Sequence, residues 1–315
     1  MTFGVCVVGS GGIASAHADA LSRTDQVRRR WVVSRRPEAA TQFGARWAFE
    51  RSGIALADAL ADEHVGLVLI TSPSQLHAEQ AAQALAAGKH VIVEIPAALG
   101  LGECERLESL ARSVGKRVFV CHTMRSFPAI RELRARVAAG SVDVSQVLGF
   151  FAIPRRSNEG WSGTRSWIDN LLWHHACHQV DASLWALGLD GGDDVCACFG
   201  RIHPDFGMVM DLSLSFTGGS DQVVTHALTY NATELTWELR FVTDQGLFTF
   251  HNGALLDQAG RTLVPPMSAR DVSLQDTAIL VALESGGPSD FDLAQVMPAM
   301  RVLDLAERVL ETADD

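Results

Sequence analysis

The sequence predicts an α/β fold: a doubly wound parallel sheet, then an α+β domain on a mostly antiparallel sheet. Three observations carry this. A glycine-rich turn stands between an apolar run and an alanine-rich helix at the start of the chain. Strand and helix patterns then alternate as far as His122. After His122 come a helix, a histidine-rich segment, a run of short strands with turn signals, and two helices. The expected domains are therefore 1–122 and 123–315.

The first element is the apolar run Val5–Val8, and Gly9, Gly11 and Ala14 follow it in G-x-G-x-x-A spacing. The first glycine lets the chain turn off a strand, and the second lets backbone approach a pyrophosphate. The third small residue lets the helix pack closely, with its N-terminus towards the anion. This is the Rossmann fingerprint in its proper context. Gly9, Ser10, Gly11, Gly12 and Ile13 are the expected cradle.

Alternation continues through "VRRRWVVSR" (strand), "PEAATQFGARW" (helix, with Pro37 in its first turn) and "VGLVLITS" (buried strand). It runs on through "SQLHAEQAAQALAAG" (helix closed by Gly88), "HVIVEIP" (strand), "GECERLESLARSVG" (helix) and "RVFVCH" (strand). An acidic residue at the end of the second strand would hold the ribose 2′-hydroxyl of NAD. Ser34, Arg35 and Arg36 stand there instead, and a hydroxyl with two guanidinium groups suits a 2′-phosphate. The expected cofactor is NADP, with NAD the less favoured alternative.

In the second half "PAIRELRARVAAG" reads as a helix and "SQVLGFFAIPRR" follows it. Strands over about 194–251 are separated by expected turns at "TGGSD", "YNAT" and "TDQG". Two helices close the chain, around "LQDTAILVALESG" and "QVMPAMRVLDLAERVL". No repeat, low-complexity tract or linker interrupts it.

Composition excludes several classes of function. The 315 residues suffice for two domains, and 47% hydrophobic with 20% charged residues suits packed cores. A net charge of −11 argues against nucleic acid as a partner, though local arginines can still bind a small anion. No apolar run is long enough for a membrane span. The N-terminus reads as a strand rather than a signal peptide, so a cytoplasmic location is expected. The six cysteines form no C-x-x-C pair, and no structural zinc site is expected from them.

The segment "NLLWHHACHQVD" puts His174, His175 and His178 within five positions, with Cys177 beside them and Asp181 beyond. On an α-helix His174 and His178 share a face, His175 lies roughly 60° round from His178, and Asp181 is placed to orient His178. Three readings stand together: a metal pair, histidines satisfied in a core, and proton transfer near neutral pH. No second cluster completes a metal site, and proton transfer by His174 or His178 is favoured. Arg125, Arg155, Arg156 and Arg165 flank this segment in sequence and could hold carboxylates. Trp161 and Trp167 read as pocket wall or core.

The motifs "GSGGIASAH", "SPSQLH", "VEIP" and the H-x-x-D of His178–Asp181 resemble the Gfo/Idh/MocA oxidoreductases, over essentially the whole chain. Two departures from the broad pattern are visible. Ile95 stands where the family's E-K-P motif has lysine, and His174 stands where its D-x-x-x-H-x-x-D motif has aspartate. Both match the branch of 4-carboxy-2-hydroxymuconate-6-semialdehyde dehydrogenases of aromatic catabolism, which "HTMRSF" and the histidine segment also resemble. The resemblance implies oxidation of a cyclic hemiacetal to 2-pyrone-4,6-dicarboxylate. It also implies a small dicarboxylate substrate, Ser72, Pro73, His77 and Glu94 around the cofactor, and Trp167 with the four arginines around the substrate. Assembly as a homodimer or higher homo-oligomer through the open face of the second sheet is implied too. A sugar, cyclitol or natural-product dehydrogenase is the alternative enzyme, and a non-catalytic NADP sensor the alternative of another class.

Overall fold

The computed structural model describes residues 3–155, 159–160, 163–164, 171–205, 207–219, 221–268 and 270–313. The chain opens with β1 (Phe3–Val8), α1 (Gly12–Ser22), β2 (Val27–Val33), α2 (Pro37–Trp47), β3 (Arg51–Gly53), α3 (Leu56–Leu60) and β4 (Val65–Ile70). There follow α4 (His77–Ala86), β5 (His90–Val93), α5 (Leu101–Ser113), β6 (Val118–Val120), α6 (Pro128–Ala138) and β7 (Val144–Pro154). Beyond them lie the two-residue strands β8 (Glu159–Gly160) and β9 (Gly163–Thr164), a π-helical turn at Leu172–Ala176, and α7 (Cys177–Leu187). Seven strands come next: β10 (Asp193–Phe199), β11 (Asp211–Gly218), β12 (Gln222–Thr229), β13 (Asn231–Thr243), β14 (Gly246–His251), β15 (Ala254–Leu256) and β16 (Thr262–Val264). The helices α8 (Ser273–Ser285) and α9 (Leu293–Ala313) end the chain. No described helix is long and apolar enough to cross a membrane.

These elements form two compact units. The first holds the residues up to Cys121 and also takes in Arg270–Val296. Its six strands are all parallel, in the order β3-β2-β1-β4-β5-β6. The order turns back between β1 and β4, which opens the crevice beyond the carboxyl ends of those strands where such sheets bind ligands. Strands β1, β4, β5 and β6 are near-continuous apolar runs because helices cover both faces, whereas β2 carries three arginines and the edge strand β3 reads Arg-Ser-Gly. Ala14, Ala18 and Leu21 of α1 pack into this core, and Ile279, Leu280 and Leu283 of α8 join it. Arg117 ties the returning segment down: it pairs with both Asp292 oxygens and donates to the carbonyls of Ala282 and Gly287. The short β3 and α3 carry too few residues to show a period, and the sequence pattern did not indicate them.

The second unit is built on an eight-stranded sheet, in the order β10-β11-β12-β7-β13-β14-β15-β16. Every neighbouring pair is antiparallel except β12 with β7. The "YNAT" turn is a correction to the sequence reading. Only Tyr230 separates β12 from β13, and these strands lie on opposite sides of β7, so no tight hairpin forms there. The buried face carries Phe151, Leu214, Phe216, Leu228, Leu239 and Phe250, while Leu148, Phe150 and Val223 lie on the open face.

The helix α7 packs on the buried face across β7 and β12. Gly149 makes the space for it: a Cβ there would lie 2.0 Å from His226 Nδ1 and 3.0 Å from Gln179 Oε1. His226 is fully buried, and burial pulls its pKa down to about 3, so this ring stays neutral. A neutral ring costs far less to bury than a charged one, and α7 seats without an ionic partner at this point.

Candidate functional site

Two groups of side chains carry the candidate chemistry, one in each unit. In the first unit β1 delivers the chain into Gly9, whose φ is +121° and whose N–H donates to the Val33 carbonyl. A Cβ on Gly9 would sit 2.5 Å from Thr71 Oγ1 and 2.8 Å from the Thr71 carbonyl oxygen. Only glycine fits there. The next residues lead to Gly11, the N-cap of α1, which offers no side chain to the first helical N–H groups. Those groups and the helix dipole suit a pyrophosphate. Gly9→Ala should weaken dinucleotide binding at least tenfold and cost roughly 1–3 kcal/mol of stability, the usual range for a strained backbone position. Titration with reduced dinucleotide and a thermal melt measure the two effects.

The hydroxyls of Ser10 and Ser34 lie 2.9 Å apart, joining the glycine turn to the end of β2. Beyond Ser34, Arg35 and Arg36 are exposed, and neither forms an ion pair among the described residues. Ser72 and Pro73 follow β4. The ring of His77 links their loop to the one after β5: Nε2 faces the Ser72 carbonyl and Nδ1 the Pro96 carbonyl, each at 2.8 Å. Burial lowers the His77 pKa below its ordinary value, although both carbonyls pull the other way. A neutral ring donates to one of them at a time.

Glu94 directly follows β5, just before the cis Ile95–Pro96 peptide. Its Oε1 accepts a hydrogen bond from His17 Nε2 at 2.8 Å, and Asp276 receives the other ring nitrogen. Sequence reasoning assigned nothing to His17 or Asp276. The available signal was a histidine inside the apolar stripe Ala14, Ala18, Leu21 of α1, all of which are buried.

In the second unit His174, His175 and His178 are each partly exposed at the start of α7. The α-helical spacing expected for them is corrected by the structure. Leu172–Ala176 is wound as a π-helical turn, and the α-helix begins only at Cys177. Such a turn inserts extra backbone and re-aims side chains, and it is frequent at functional sites. His175 stacks on Phe151 with centroids 4.8 Å apart and meets the Tyr230 ring edge-on. His178 lies against Trp237 and, edge-on at 6.1 Å, against His122.

Asp181 does not serve His178 alone. Arg125 grips it with Nε at 2.8 Å from Oδ2 and Nη2 at 2.5 Å from Oδ1. His122 Nδ1 lies 3.3 Å from the same carboxylate. Burial pushes the Asp181 carboxyl up, but the charges of Arg125, His122 and His178 outweigh it and hold its pKa below the ordinary value. The expectation that Arg125 holds a substrate carboxylate changes accordingly: this buried guanidinium is matched to a carboxylate of the protein. His122 was not singled out from sequence. It ends the "RVFVCH" run, and the carboxyl end of a strand in a doubly wound sheet is where a functional group is sought.

Arg155 is buried and stacks on the Tyr230 ring at 5.0 Å, which places it beside His175. Arg156, Arg165, Trp161 and Trp167 lie outside the described residues.

Comparison with known proteins bears on the family and the fold. A family model described as "Oxidoreductase family, NAD-binding Rossmann fold" matches residues 3–122, and one described as "Bacterial oxidoreductases, C-terminal" matches residues 128–264. Among curated proteins, a 4-carboxy-2-hydroxymuconate-6-semialdehyde dehydrogenase of Sphingobium sp. is 32% identical over 314 residues, 98% of each chain. Among solved structures, levoglucosan dehydrogenase in complex with NADH and levoglucosan superposes with a TM-score of 0.88 at 18% identity, covering 99% of this chain and 98% of that one. GenD2 from gentamicin A biosynthesis, in complex with NAD, superposes with a TM-score of 0.85 at 21% identity, covering 99% and 95%. At these identities the structural neighbours speak for the fold.

Proposed function

Because the chain belongs to the Gfo/Idh/MocA family of NAD(P)-dependent oxidoreductases, we propose that it oxidises the cyclic hemiacetal of 4-carboxy-2-hydroxymuconate-6-semialdehyde, or a close carboxylated analogue. The product is the corresponding lactone, 2-pyrone-4,6-dicarboxylate, with NADP as oxidant. The observation that carries this reading is the 32% identity to the Sphingobium dehydrogenase over 98% of the chain. The histidine group supports it, since imidazoles at the head of α7 are suited to proton transfer near neutral pH.

The bound dinucleotide supplies a hydride acceptor. The chain's own residues do the rest. Gly9 to Ile13 hold the pyrophosphate against the N-terminus of α1. Ser72, Pro73, His77 and Glu94 line the cofactor from the loops after β4 and β5. His178 takes the hemiacetal hydroxyl proton as the carbon–hydrogen bond of the same carbon breaks, and His174 holds that hydroxyl by a hydrogen bond. Asp181, with Arg125 and His122 gathered on it, keeps a fixed negative charge beside His178 and favours the imidazolium that forms. His175 packs as a wall with Phe151 and Tyr230. Arg155 takes a substrate carboxylate, and Arg156, Arg165 and Trp167 are assigned the same task from the sequence. Ile95 adds an apolar side chain that cannot exchange a proton.

The decisive experiment mixes purified protein with NADP and enzymatically generated semialdehyde, and follows reduced-cofactor absorbance. Formation of the reduced cofactor with the pyrone dicarboxylate is the expected result. No reduction, with clear activity on a sugar or cyclitol, rejects the substrate. The NADP preference rests on the two exposed arginines after Ser34. Replacing Arg35 and Arg36 together by alanine should weaken NADP at least tenfold, since each charge-assisted hydrogen bond is worth about 1.5–3 kcal/mol. NAD should bind as before, and equal losses for both cofactors would remove the preference. The open face of the second sheet, with Leu148, Phe150 and Val223 exposed, is the surface assigned to homo-oligomer formation, which light scattering tests.

A further inference from the structure

His17, Asp276 and Glu94 form a group that the proton-transfer chemistry does not use. It lies wholly in the first unit and joins three distant parts of the sequence. His17 comes from α1, Asp276 from α8, and Glu94 from the position just after β5. The His17 ring is fully buried; its Nδ1 lies 3.0 and 2.8 Å from the two Asp276 oxygens, and its Nε2 lies 2.8 Å from Glu94 Oε1. The Asp276 side chain is 4% exposed and that of Glu94 is 14% exposed. Glu94 is thus the member of the group that reaches towards the surface, at the carboxyl end of a sheet strand.

Packing alone does not call for this arrangement. Position 17 belongs to the buried stripe of α1, and an apolar side chain there would continue the stripe. A buried ionic group seldom adds stability over well-packed apolar residues. The donors of His17, Glu94 and Cys121 all lie within 4.8 Å of one another, a spacing that could also gather a metal ion. Each ring nitrogen faces a carboxylate, and a ring carrying both protons meets each of them with a charge-assisted hydrogen bond.

We propose that Asp276, His17 and Glu94 act as a positioning relay for the cofactor. Asp276 holds the ring, so that Nε2–H donates to Glu94. That hydrogen bond fixes the Glu94 carboxylate just beyond β5, where its other oxygen, which takes the Ile95 N–H at 3.3 Å, would also accept a hydrogen bond from a hydroxyl or amide donor of the dinucleotide. His17 and Asp276 are positioning residues, and Glu94 touches the cofactor. The inference rests on the cofactor half of the proposed function and is independent of the substrate.

The groups facing the ring are Asp276 from α8, Glu94 after β5, and Cys121 after β6. Burial pulls the His17 pKa down, but the Asp276 charge and the hydrogen bonds of Asp276, Cys121 and Glu94 raise it well above the ordinary value. Burial pushes the Cys121 thiol up, so it stays protonated. His77, next to Glu94, is held neutral by its burial.

The test is NADPH and NADH affinity of the full chain, read by cofactor fluorescence from about pH 6 to pH 8, a range that brackets the free imidazole. The wild type should show a flat profile. Asp276→Asn should acquire a titration: its affinity falls at least tenfold as pH rises and the ring loses its second proton. Asp276→Glu should restore the flat profile, and Glu94→Gln should bind weakly at every pH. A merely structural role would lower stability without creating a pH step. Nitrogen NMR of wild-type His17 gives a second reading that no variant can obscure, and both ring nitrogens should be protonated across the range. A neutral ring, a wild-type profile in Asp276→Asn, or a stoichiometric metal in the purified protein would each overturn the relay. If the hemiacetal is not oxidised but the pH step appears, the substrate reading fails and the relay stands. A wild type that binds neither dinucleotide overturns both.

Discussion

His178→Ala should lower kcat by about 10²–10⁴-fold, the range for losing a general base, while dinucleotide affinity stays unchanged. His178 earns the role over its neighbours by what surrounds it. His175 is stacked flat on Phe151 and fixed edge-on by Tyr230, as a wall residue is. His178 has the buried Asp181 charge within reach, and that charge stabilises an imidazolium. His174→Ala should cost less, about tenfold, as expected for one hydrogen bond to a hydroxyl. Steady-state kinetics with a parallel cofactor titration separate the two effects. A His178→Ala enzyme that turns over normally removes the proton-transfer role from this residue, and a reversed order of losses transfers it to His174.

Asp181→Ala should destabilise the protein by about 3–5 kcal/mol, because it leaves a buried guanidinium without its carboxylate. Arg125 and Asp181 are 2% and 1% exposed, so water cannot replace the lost partner. The double variant Arg125→Met with Asp181→Leu should recover most of that loss, since apolar side chains of similar size remove both charges together. Denaturant midpoints for the three variants measure this. Recovery of stability without recovery of activity would place the pair in the chemistry as well as in the packing. The pH dependence follows from the sign of the Asp181 shift. Its folded pKa lies below the ordinary aspartate value, so its contribution is complete above that value. The contribution is lost as pH falls through the folded pKa. A double variant that loses no extra stability in acid would confirm the pair as the source.

The first sheet was legible because its signals are local. The G-x-G-x-x-A spacing, the apolar strands and the closing glycines each speak within ten or fifteen residues. The second sheet was legible as a run of strands but not in its order. The turn signal at Tyr230–Thr233 says where the chain bends, and nothing nearby says that β7 will lie between the two strands. The candidate site divides in the same way. Ser34 with its two arginines and the three histidines are visible in sequence, because each acts from one short segment. Arg125 and Asp181 are 56 positions apart, and His17 and Asp276 are 259 apart. Such pairs follow from tertiary packing, and no periodicity announces them. The π-helical turn at Leu172–Ala176 escaped for a different reason: its residues suit an ordinary helix, and the extra backbone is set by what the turn packs against.

The return of Arg270–Val296 to the first unit sets an order of assembly during synthesis. A ribosome that has made the first 269 residues has made all six parallel strands and all eight strands of the second sheet. It has not yet released Asp276, the apolar residues of α8, or the Asp292 carboxylate that Arg117 grips. The unit begun first is thus completed only after every strand of the second has been made, and the second is closed in turn by Met297–Asp315. Until then the nascent chain carries α1 without the α8 residues that join it in the core, and His17 without the Asp276 carboxylate that faces its Nδ1.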